Sequence, residues 1–340
     1  MKNCFHEFIF SSPRRVAMPI AVYPGLTLTK ARVCDVVNNA RAQVEAQMAL
    51  HERYQTGVLL SAMDLSAEAE AFGCKLHLSE NEIPTVSGRL VTTLEKAKML
   101  SVPKPGDKRT AIYLDAIRQL RAQSRKSLVL ANCIGPFSLA ARLVGVSEAM
   151  ELTVTDPDLM HAVLEKSVAF LCDYVRAFRA AGADGIIMAE PAAGLLSPRS
   201  LSAFSSANIR VIARTVSDKR FAIILHNCAA KLVHLPAILE TGLKMFHFGA
   251  PMDIVAALEK VPKDVVLCGN LDPSAVFCHA TSVEAQWRTT ALLESTAAHR
   301  NFVLSSGCDL PPDARLSNLD AFYSVVQKSF SQSQLVTRHD

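Results

Sequence analysis

Short runs of apolar residues recur along this chain, and longer amphipathic stretches separate them. Eight of these runs are rich in β-branched residues and have the length of strands. Continuous apolar runs are typical of strands that are buried on both faces, as in a parallel sheet. The eight predicted strands are residues 18–23, 57–63, 127–132, 184–189, 221–225, 243–248, 264–268 and 301–305.

The stretches between these runs predict helices. Residues 31–53 are rich in Ala, Gln and Glu, and residues 110–123 carry apolar side chains at helical spacing. Asp156 followed by Pro157 is typical of a helix start, and Gly182 is a typical end. Strands that alternate with helices indicate an α/β fold. Eight such strands predict a closed (β/α)₈ TIM barrel in a single domain, with a doubly wound open sheet as the alternative.

Two segments lie outside this alternation. Residues 1–17 precede the first predicted strand and are interpreted as an N-terminal extension. Residues 64–126 are too long for a plain crossover, so we expect an insertion with extra helices between strands 2 and 3. Within it, the runs CKLHL and EIPTV could form a small strand pair.

Composition narrows the class of protein. The chain has 340 residues, of which 50% are hydrophobic, and a net charge of +4 that is too mild and scattered to indicate nucleic-acid binding. No apolar run has the roughly 18 residues of a membrane-spanning helix, so no membrane association is expected. The N-terminal residues do not resemble a secretory signal. Nine cysteines at irregular spacing are a poor disulfide framework, so we expect a reduced, cytoplasmic protein.

Side chains that can bind metal follow several of the predicted strands. Active sites of (β/α)₈ barrels lie at the carboxyl ends of the strands. His226 and Cys228 come after the fifth strand, two residues apart, so both project to one side if the chain stays extended. Cys308 follows the eighth strand. One imidazole nitrogen and two thiolates match a catalytic zinc with three protein ligands and an open fourth position.

Each of these residues also has a plainer interpretation. A lone His-x-Cys pair arises often by chance, and Cys308 could be a packed loop thiol. Glu190 is the candidate for a weak fourth ligand, but it could instead cap a helix or pair with Arg199. Asp272 precedes a proline and could be a turn or N-cap residue. His247 lies inside an apolar run and is interpreted as a hydrogen-bonded core histidine.

Several stretches together resemble the uroporphyrinogen decarboxylase superfamily, over the chain from about residue 18 to the end. His-x-Cys with a later Gly-Cys resembles one branch, the zinc-dependent methylcobamide:coenzyme M methyltransferases and their corrinoid relatives. The resemblance implies a (β/α)₈ barrel and a Zn²⁺ ion held by His226, Cys228 and Cys308, with Glu190 as an exchangeable fourth ligand. The matching stretches are NCIGPFSLAARLVG at 132–145, GADGIIMAE at 182–190, HNC at 226–228, GNLDP at 269–273 and LSSGCDLPP at 304–312.

This resemblance implies transfer of a methyl group from a methylated corrinoid, methylcobamide, to a small-molecule thiol such as coenzyme M. Zinc would hold the thiol as a thiolate, which would attack the methyl group on cobalt. Because a corrinoid is too large to enter a barrel, we expect it to arrive on a separate corrinoid protein. Glu190 and Asp272 are the candidate catalytic residues. Asn132, Asp64 and Asn270 follow predicted strands and are expected to line the mouth towards the corrinoid.

Other functions are compatible with the same pattern. A tetrapyrrole decarboxylase needs a cationic clamp, but the family's RQAGR-like motif is replaced by SSPRRVAMPIAVYPG, which retains only Arg14 and Arg15. It also needs no metal, so we rank it behind methyl transfer. A methylcobamide:tetrahydrofolate methyltransferase and a non-catalytic corrinoid-binding protein with a structural zinc are the further alternatives. A sulfonate-bearing acceptor would need a cation, for which Arg199, Arg210 and Lys231 are candidates. A homo-oligomer is compatible with all of these.

Overall fold

A computed structural model describes residues 4–216 and 220–336, with side chains over residues 5–216 and 220–328. The fold is α/β, and seven of the nine strands in this part of the chain form one curled parallel sheet in the order β1-β4-β5-β6-β7-β8-β9. The strands are β1 (Val58–Leu60), β2 (Lys75–His77), β3 (Thr85–Ser87), β4 (Leu128–Ile134), β5 (Gly185–Ala189), β6 (Ala222–Asn227), β7 (Met245–Phe248), β8 (Val266–Leu271) and β9 (Phe302–Ser306).

Helices connect the strands of the large sheet. Short 3₁₀ segments lie at Tyr23–Gly25, Ala192–Leu195 and Leu232–His234, and π-helical turns at Ser202–Ser206 and Pro273–His279. The α-helices are α1 (Cys4–Ser11), α2 (Leu26–Thr29), α3 (Val33–Asn38), α4 (Ala40–Tyr54), α5 (Ala67–Ala71), α6 (Leu94–Met99), α7 (Thr110–Gln123), α8 (Pro136–Val144), α9 (Val146–Thr155), α10 (Pro157–Ala180), α11 (Pro198–Leu201), α12 (Ala207–Thr215), α13 (Leu235–Leu239), α14 (Ile254–Lys260), α15 (Ser282–Ser295) and α16 (Leu316–Val336).

Seven of the eight predicted strands are confirmed. Every residue of β5, β6 and β7 is buried, because the strands are covered on both faces. The helix predicted over residues 110–123 is α7, and the predicted Asp156 cap opens α10 by accepting from the Leu159 amide at 3.1 Å. The buried apolar side chains of these strands and helices form one continuous core cluster.

The predicted first strand, residues 18–23, is wrong. The one parallel bridge to β9 here pairs Ala17, just before the segment, with Leu304, and the Met18 amide donates to the Leu304 carbonyl at 2.9 Å. Pro19 has no amide hydrogen to continue a ladder. The next amide, that of Ile20, donates to the hydroxyl oxygen of Ser306 at 3.0 Å instead of to a backbone carbonyl. The chain then enters a 3₁₀ turn, so the described sheet has seven strands and not eight.

The single helix predicted over residues 31–53 is also wrong, since the chain forms α3 and α4 there. Asn39 separates them in an extended conformation. Its side-chain oxygen accepts from the amides of Arg41 at 2.9 Å and Ala42 at 3.3 Å, which caps α4.

The connection between β1 and β4 contains α5, β2, β3, α6 and α7. The strands β2 and β3 form an antiparallel pair in which Leu76 lies opposite Val86, apart from the large sheet. The helix α7 packs against α4 and next to β4, and so acts as the helix that returns the chain to the sheet. Of the predicted extension 1–17, residues 1–3 lie outside the described residues, and α1 begins at residue 4.

The parallel sheet brings the carboxyl ends of its strands to one edge. β6 ends at Asn227, β8 at Leu271 and β9 at Ser306. The chain segments that follow these strands therefore meet at this edge, which we call the carboxyl edge. Within the described residues, none of the helices combines the length and apolar character needed to cross a membrane.

Candidate metal centre

Three side chains that bind soft metals converge at the carboxyl edge. His226, Cys228 and Cys308 each offer one ligand atom, and these atoms lie within 4.8 Å of one another. His226 Nε2 is 3.4 Å from Cys308 Sγ. A tetrahedral zinc ion with ordinary bond lengths separates nitrogen and sulfur ligands by roughly 3.6 Å. The donor set and its spacing therefore fit a zinc ion with three protein ligands.

The strands place these ligands directly. His226 is the penultimate residue of β6 and is 1% exposed, while Cys228 is the first residue after that strand and is partly buried. Cys308 follows β9 after one glycine. The end of β7 can pack closely against the backbone of Cys228 because position 249 is a glycine. A Cβ there would lie 2.0 Å from the carbonyl oxygen of Cys228, so no other residue fits without moving this ligand.

The two cysteines share a hydrogen bond that shifts their pKa values in opposite directions. Donation by the Cys308 thiol lowers the pKa of Cys228, and the nearby His226 ring lowers it further. The same bond raises the pKa of Cys308, and burial adds to that effect. Elsewhere in the core, burial alone raises the pKa of Cys268. Cys228 therefore loses its proton more readily than an ordinary cysteine, and the thiolate is the form that binds metal.

Behind the cluster, His226 contacts a second histidine. Its Nδ1 is 2.9 Å from Nδ1 of His247, and the two rings meet edge to face at an angle of 77°. His247 Nε2 lies 2.9 Å from the Ser305 hydroxyl oxygen, and that hydroxyl donates to the carbonyl of Met18 at 2.5 Å. Burial, and then the His226 ring, lowers the pKa of His247 well below its usual value. His247 is a hydrogen-bonded core histidine, as predicted. Its contact with His226 was not predicted.

Glu190 lies outside the cluster of ligand atoms within 4.8 Å. It is 1% exposed, and its carboxylate accepts from the amides of Phe137 at 2.9 Å and Ser138 at 2.8 Å, at the start of α8. The hydroxyls of Ser138 and Ser205 donate to it at 2.6 and 3.1 Å. A Cβ at position 135 would lie 2.3 Å from the Glu190 side chain, so Gly135 makes room for it. These contacts match the helix-capping interpretation.

Asp64 follows β1 and forms a buried network of its own. Its carboxylate pairs with Arg109, accepts from the Tyr113 hydroxyl at 2.9 Å, and accepts from the Ser66 hydroxyl at 2.6 Å. Glu70 binds Arg109 on its other side at 2.7 Å. The carboxylate is therefore fully engaged by neighbouring side chains.

The remaining predicted site residues have mainly structural partners. Asn132 donates to the carbonyl of Ser61 at 2.5 Å, but its own side-chain oxygen is buried without a hydrogen-bond partner. Asn270 donates to the carbonyl of Met252 at 2.7 Å. Asp272 accepts from the Ala275 amide at 2.7 Å and so caps the π-helical turn, as one of its two interpretations predicted.

Sequence reasoning missed Asp309, which directly follows the candidate ligand Cys308. Both of its carboxylate oxygens are buried without a hydrogen-bond partner, and burial raises its pKa well above the usual value. Its place in the GCD stretch was the only signal that could have indicated it.

None of the three predicted acceptor-binding cations belongs to the ligand cluster. Arg199 and Lys231 have exposed side chains, and Arg210 donates to the carbonyl of Glu240 at 2.9 Å. Arg15 donates to the carbonyl of Phe302 at 3.0 Å, at the amino end of β9. It therefore lies at the opposite end of that strand from Cys308.

Comparison with known proteins places the chain in a family. The chain matches the sequence profile of the family described as uroporphyrinogen decarboxylase (URO-D) over residues 14–329. This chain belongs to the uroporphyrinogen decarboxylase family. A uroporphyrinogen decarboxylase of Psychromonas ingrahamii is 26% identical over 302 residues, which cover 84% of each chain. A methylcobamide:CoM methyltransferase of Methanosarcina acetivorans is 26% identical over 291 residues, which cover 82% of this chain and 84% of the relative.

A solved structure agrees with the fold. A methyltransferase from Methanosarcina mazei has a TM-score of 0.85 at 20% identity, covering 96% of this chain and 98% of that chain. The predicted family is confirmed. Decarboxylase and methyltransferase relatives are equally similar in sequence, so the choice between their activities depends on the site.

Proposed function

We propose that this family member is a zinc-dependent methyltransferase that moves a methyl group from a methylated corrinoid to a thiol. The observation that carries the proposal is the convergence of His226, Cys228 and Cys308 at the carboxyl edge. A decarboxylase of this family would have no use for such a set of soft ligands. The similarity to a methylcobamide:CoM methyltransferase at 26% identity supports the same choice.

Zinc in this site would supply one function, which is to keep the acceptor thiol deprotonated. A free thiol has a pKa near 8.5, so only a few per cent is thiolate at neutral pH. In the transfer itself, the cobalt–carbon bond breaks and a carbon–sulfur bond forms. The corrinoid retains the electron pair of the broken bond, and the proton of the thiol goes to solvent.

The residues of this chain would hold and orient the acceptor. Three ligands leave the fourth position of a tetrahedral site for the substrate. Glu190 was the candidate for that position, but all of its oxygen contacts go to the start of α8 and to Ser205. We therefore propose that the fourth position is filled by solvent or substrate, and that Glu190 stabilises the fold.

The corrinoid would approach the carboxyl edge from outside. We propose that it is carried by a separate corrinoid protein, because a corrinoid is much larger than the space between the strand ends. In this arrangement the segment 18–23 would close the sheet between β9 and β1 as a (β/α)₈-like barrel in a single domain. Asn132 has a buried side-chain oxygen without a hydrogen-bond partner, and we propose that it accepts from a bound ligand.

Decarboxylation is the second candidate, because decarboxylases are as similar to this chain as methyltransferases are. Its substrate carries many carboxylates and requires a cationic clamp. Arg15, one of the two arginines that remain of the N-terminal motif, donates to backbone carbonyls of Thr296 and Phe302 instead. Because these contacts occupy the guanidinium of Arg15, we rank decarboxylation below methyl transfer.

The test combines metal content with activity in matched variants. Cys308→Ala removes a ligand, while Cys268→Ala removes a fully buried cysteine outside the cluster. We expect about one zinc per chain in the wild type and in Cys268→Ala, and little in Cys308→Ala. Loss of methylcobalamin absorbance in the presence of a thiol should follow the zinc content.

Two results would overturn the proposal. One is a folded, zinc-free Cys308→Ala variant that transfers methyl groups at the wild-type rate. The other is wild-type protein that binds no zinc when zinc is supplied and that consumes a porphyrinogen instead.

A further inference from the structure

We propose that His247 and Ser305 are positioning residues that hold the proton of His226 on Nδ1, so that Nε2 presents its lone pair to the metal. The proposal rests on the metal centre of the proposed function. It assigns a role to two buried residues that offer no ligand atom to the cluster. The argument follows a chain of four groups, which we call the relay: Met18, Ser305, His247 and His226.

The relay begins at a group that can only accept. The carbonyl oxygen of Met18 lies 2.5 Å from the hydroxyl oxygen of Ser305. A backbone carbonyl has no hydrogen to donate, and two acceptors at this distance would repel each other. The single hydrogen of Ser305 therefore points at Met18.

This direction fixes the next contact. His247 Nε2 lies 2.9 Å from the same hydroxyl oxygen, whose only hydrogen is already used. The oxygen can then only accept, so Nε2 of His247 must carry a hydrogen. His247 is 0% exposed, which strongly favours the neutral ring with a single N–H. Its Nδ1 is thus a bare acceptor.

The last contact determines the protonation of the metal ligand. Nδ1 of His226 lies 2.9 Å from Nδ1 of His247 and must donate to it. A ring that binds metal is neutral and has one N–H, so Nε2 is the nitrogen of His226 that keeps a lone pair for the metal. That nitrogen is the one that lies 3.4 Å from Cys308 Sγ. The carbonyl of Met18 therefore sets the direction of every hydrogen bond up to the ligand.

The partner of His226 is unusual because it is a second histidine. Histidine ligands commonly donate their second N–H to a carboxylate, a backbone carbonyl or water. A neutral histidine orients the ring without adding negative charge, so His226 stays a neutral ligand beside two sulfurs. Loss of an outer partner of this kind typically lowers metal affinity about 10- to 100-fold.

The test compares two neighbouring buried serines. Ser305→Ala breaks the relay, whereas Ser306→Ala removes a hydroxyl whose partner is the Ile20 amide. Nitrogen-15 NMR of histidine-labelled protein, metal-free and with zinc, reports which ring nitrogen of His226 carries the proton. Competition with a chromophoric chelator gives the zinc affinity. His226→Gln and His247→Gln variants assign the two rings.

We expect the wild type and Ser306→Ala to have Nδ1 of His226 protonated in both states, with zinc bound through Nε2. Ser305→Ala should populate the other tautomer and bind zinc about 10- to 100-fold more weakly. A wild-type His226 protonated on Nε2 and not on Nδ1, or equal zinc affinities and tautomers in the two serine variants, would overturn the proposal.

The outcomes separate this proposal from the proposed function. The tautomer is measured in metal-free protein, so it is decided even if no methyl transfer is found. The expected tautomer without methyl transfer would refute the function and leave the relay standing. Methyl transfer with His226 protonated on Nε2 alone would support the function and refute the relay.

Discussion

Replacing Gly249 by alanine should empty the metal centre while leaving most of the sheet intact. Gly249 follows β7 and packs against the backbone of Cys228. An added Cβ would lie 2.0 Å from the carbonyl oxygen, 2.7 Å from the carbonyl carbon and 2.8 Å from Cα of Cys228. All three are backbone atoms, so no side chain can rotate to relieve the contact.

The size of the displacement follows from these distances. Real Cβ contacts are essentially never shorter than 3.0 Å, so the two chain segments must separate by about 1 Å. Distances in a metal site are held to about 0.2 Å. A displacement several times larger should weaken zinc binding by at least the roughly 10- to 100-fold that loss of an outer-shell partner causes. The overpacking itself should reduce the free energy of unfolding by about 1–3 kcal/mol.

Gly185→Ala provides the matched control. Its added Cβ would lie 2.4 Å from the carbonyl oxygen of Ala222, at the amino ends of β5 and β6 and away from the ligands. We expect both variants to lose stability in urea unfolding, but only Gly249→Ala to lose zinc in a chelator competition. Wild-type zinc affinity in a folded Gly249→Ala variant would refute the reasoning.

Two further predictions concern buried carboxyl groups. Burial raises the pKa of Glu68 to about 7 from the value of 4.5 taken for an unperturbed glutamate, so the folded state holds this proton more tightly than the unfolded state. Its stabilising effect is complete below pH 4.5 and is lost as the pH rises through about 7, at a cost of about 3 kcal/mol. Glu68→Gln should remove this loss, measured as the difference in urea midpoint between pH 5 and pH 8; an unchanged difference would contradict it. Glu190→Gln should turn an amide N–H₂ towards the amides of α8 and lower the free energy of unfolding by about 1–3 kcal/mol. Its zinc content should stay at the wild-type level, and a folded variant without zinc would make Glu190 a ligand after all.

Much of the sheet could be predicted from local patterns alone. Strands such as β5 and β6 are apolar along their whole length because both faces are covered, and this appears directly in the sequence. The segment 18–23 has the same composition but lacks a continuous ladder. Pro19 interrupts the ladder, and the amide of Ile20 donates to the side-chain hydroxyl of Ser306. The second contact depends on a residue 286 positions away.

The closeness of two of the proposed ligands was predictable for a similar reason. His226 and Cys228 share one strand end, so their spacing predicts that they lie together. The roles of Glu190 and Gly249 could not be predicted, because each depends on a partner in another element. Glu190 binds amides that lie 52 and 53 positions earlier in the chain. Spacing within one strand is visible in a sequence, whereas the register between distant elements is not.

The hydrogen bond between Ser305 and Met18 joins positions that are 287 residues apart. During synthesis, Met18 and His226 leave the ribosome well before Ser305 and Cys308. Until β9 pairs with the early segment, nothing fixes which nitrogen of His226 carries the proton, and the third ligand is missing. His226 and Cys308 are 82 residues apart, which at about 5–20 residues per second is a delay of roughly 4–16 s. The proposed site can therefore capture its metal only after Cys308 has left the ribosome, when most of the sheet has had time to form.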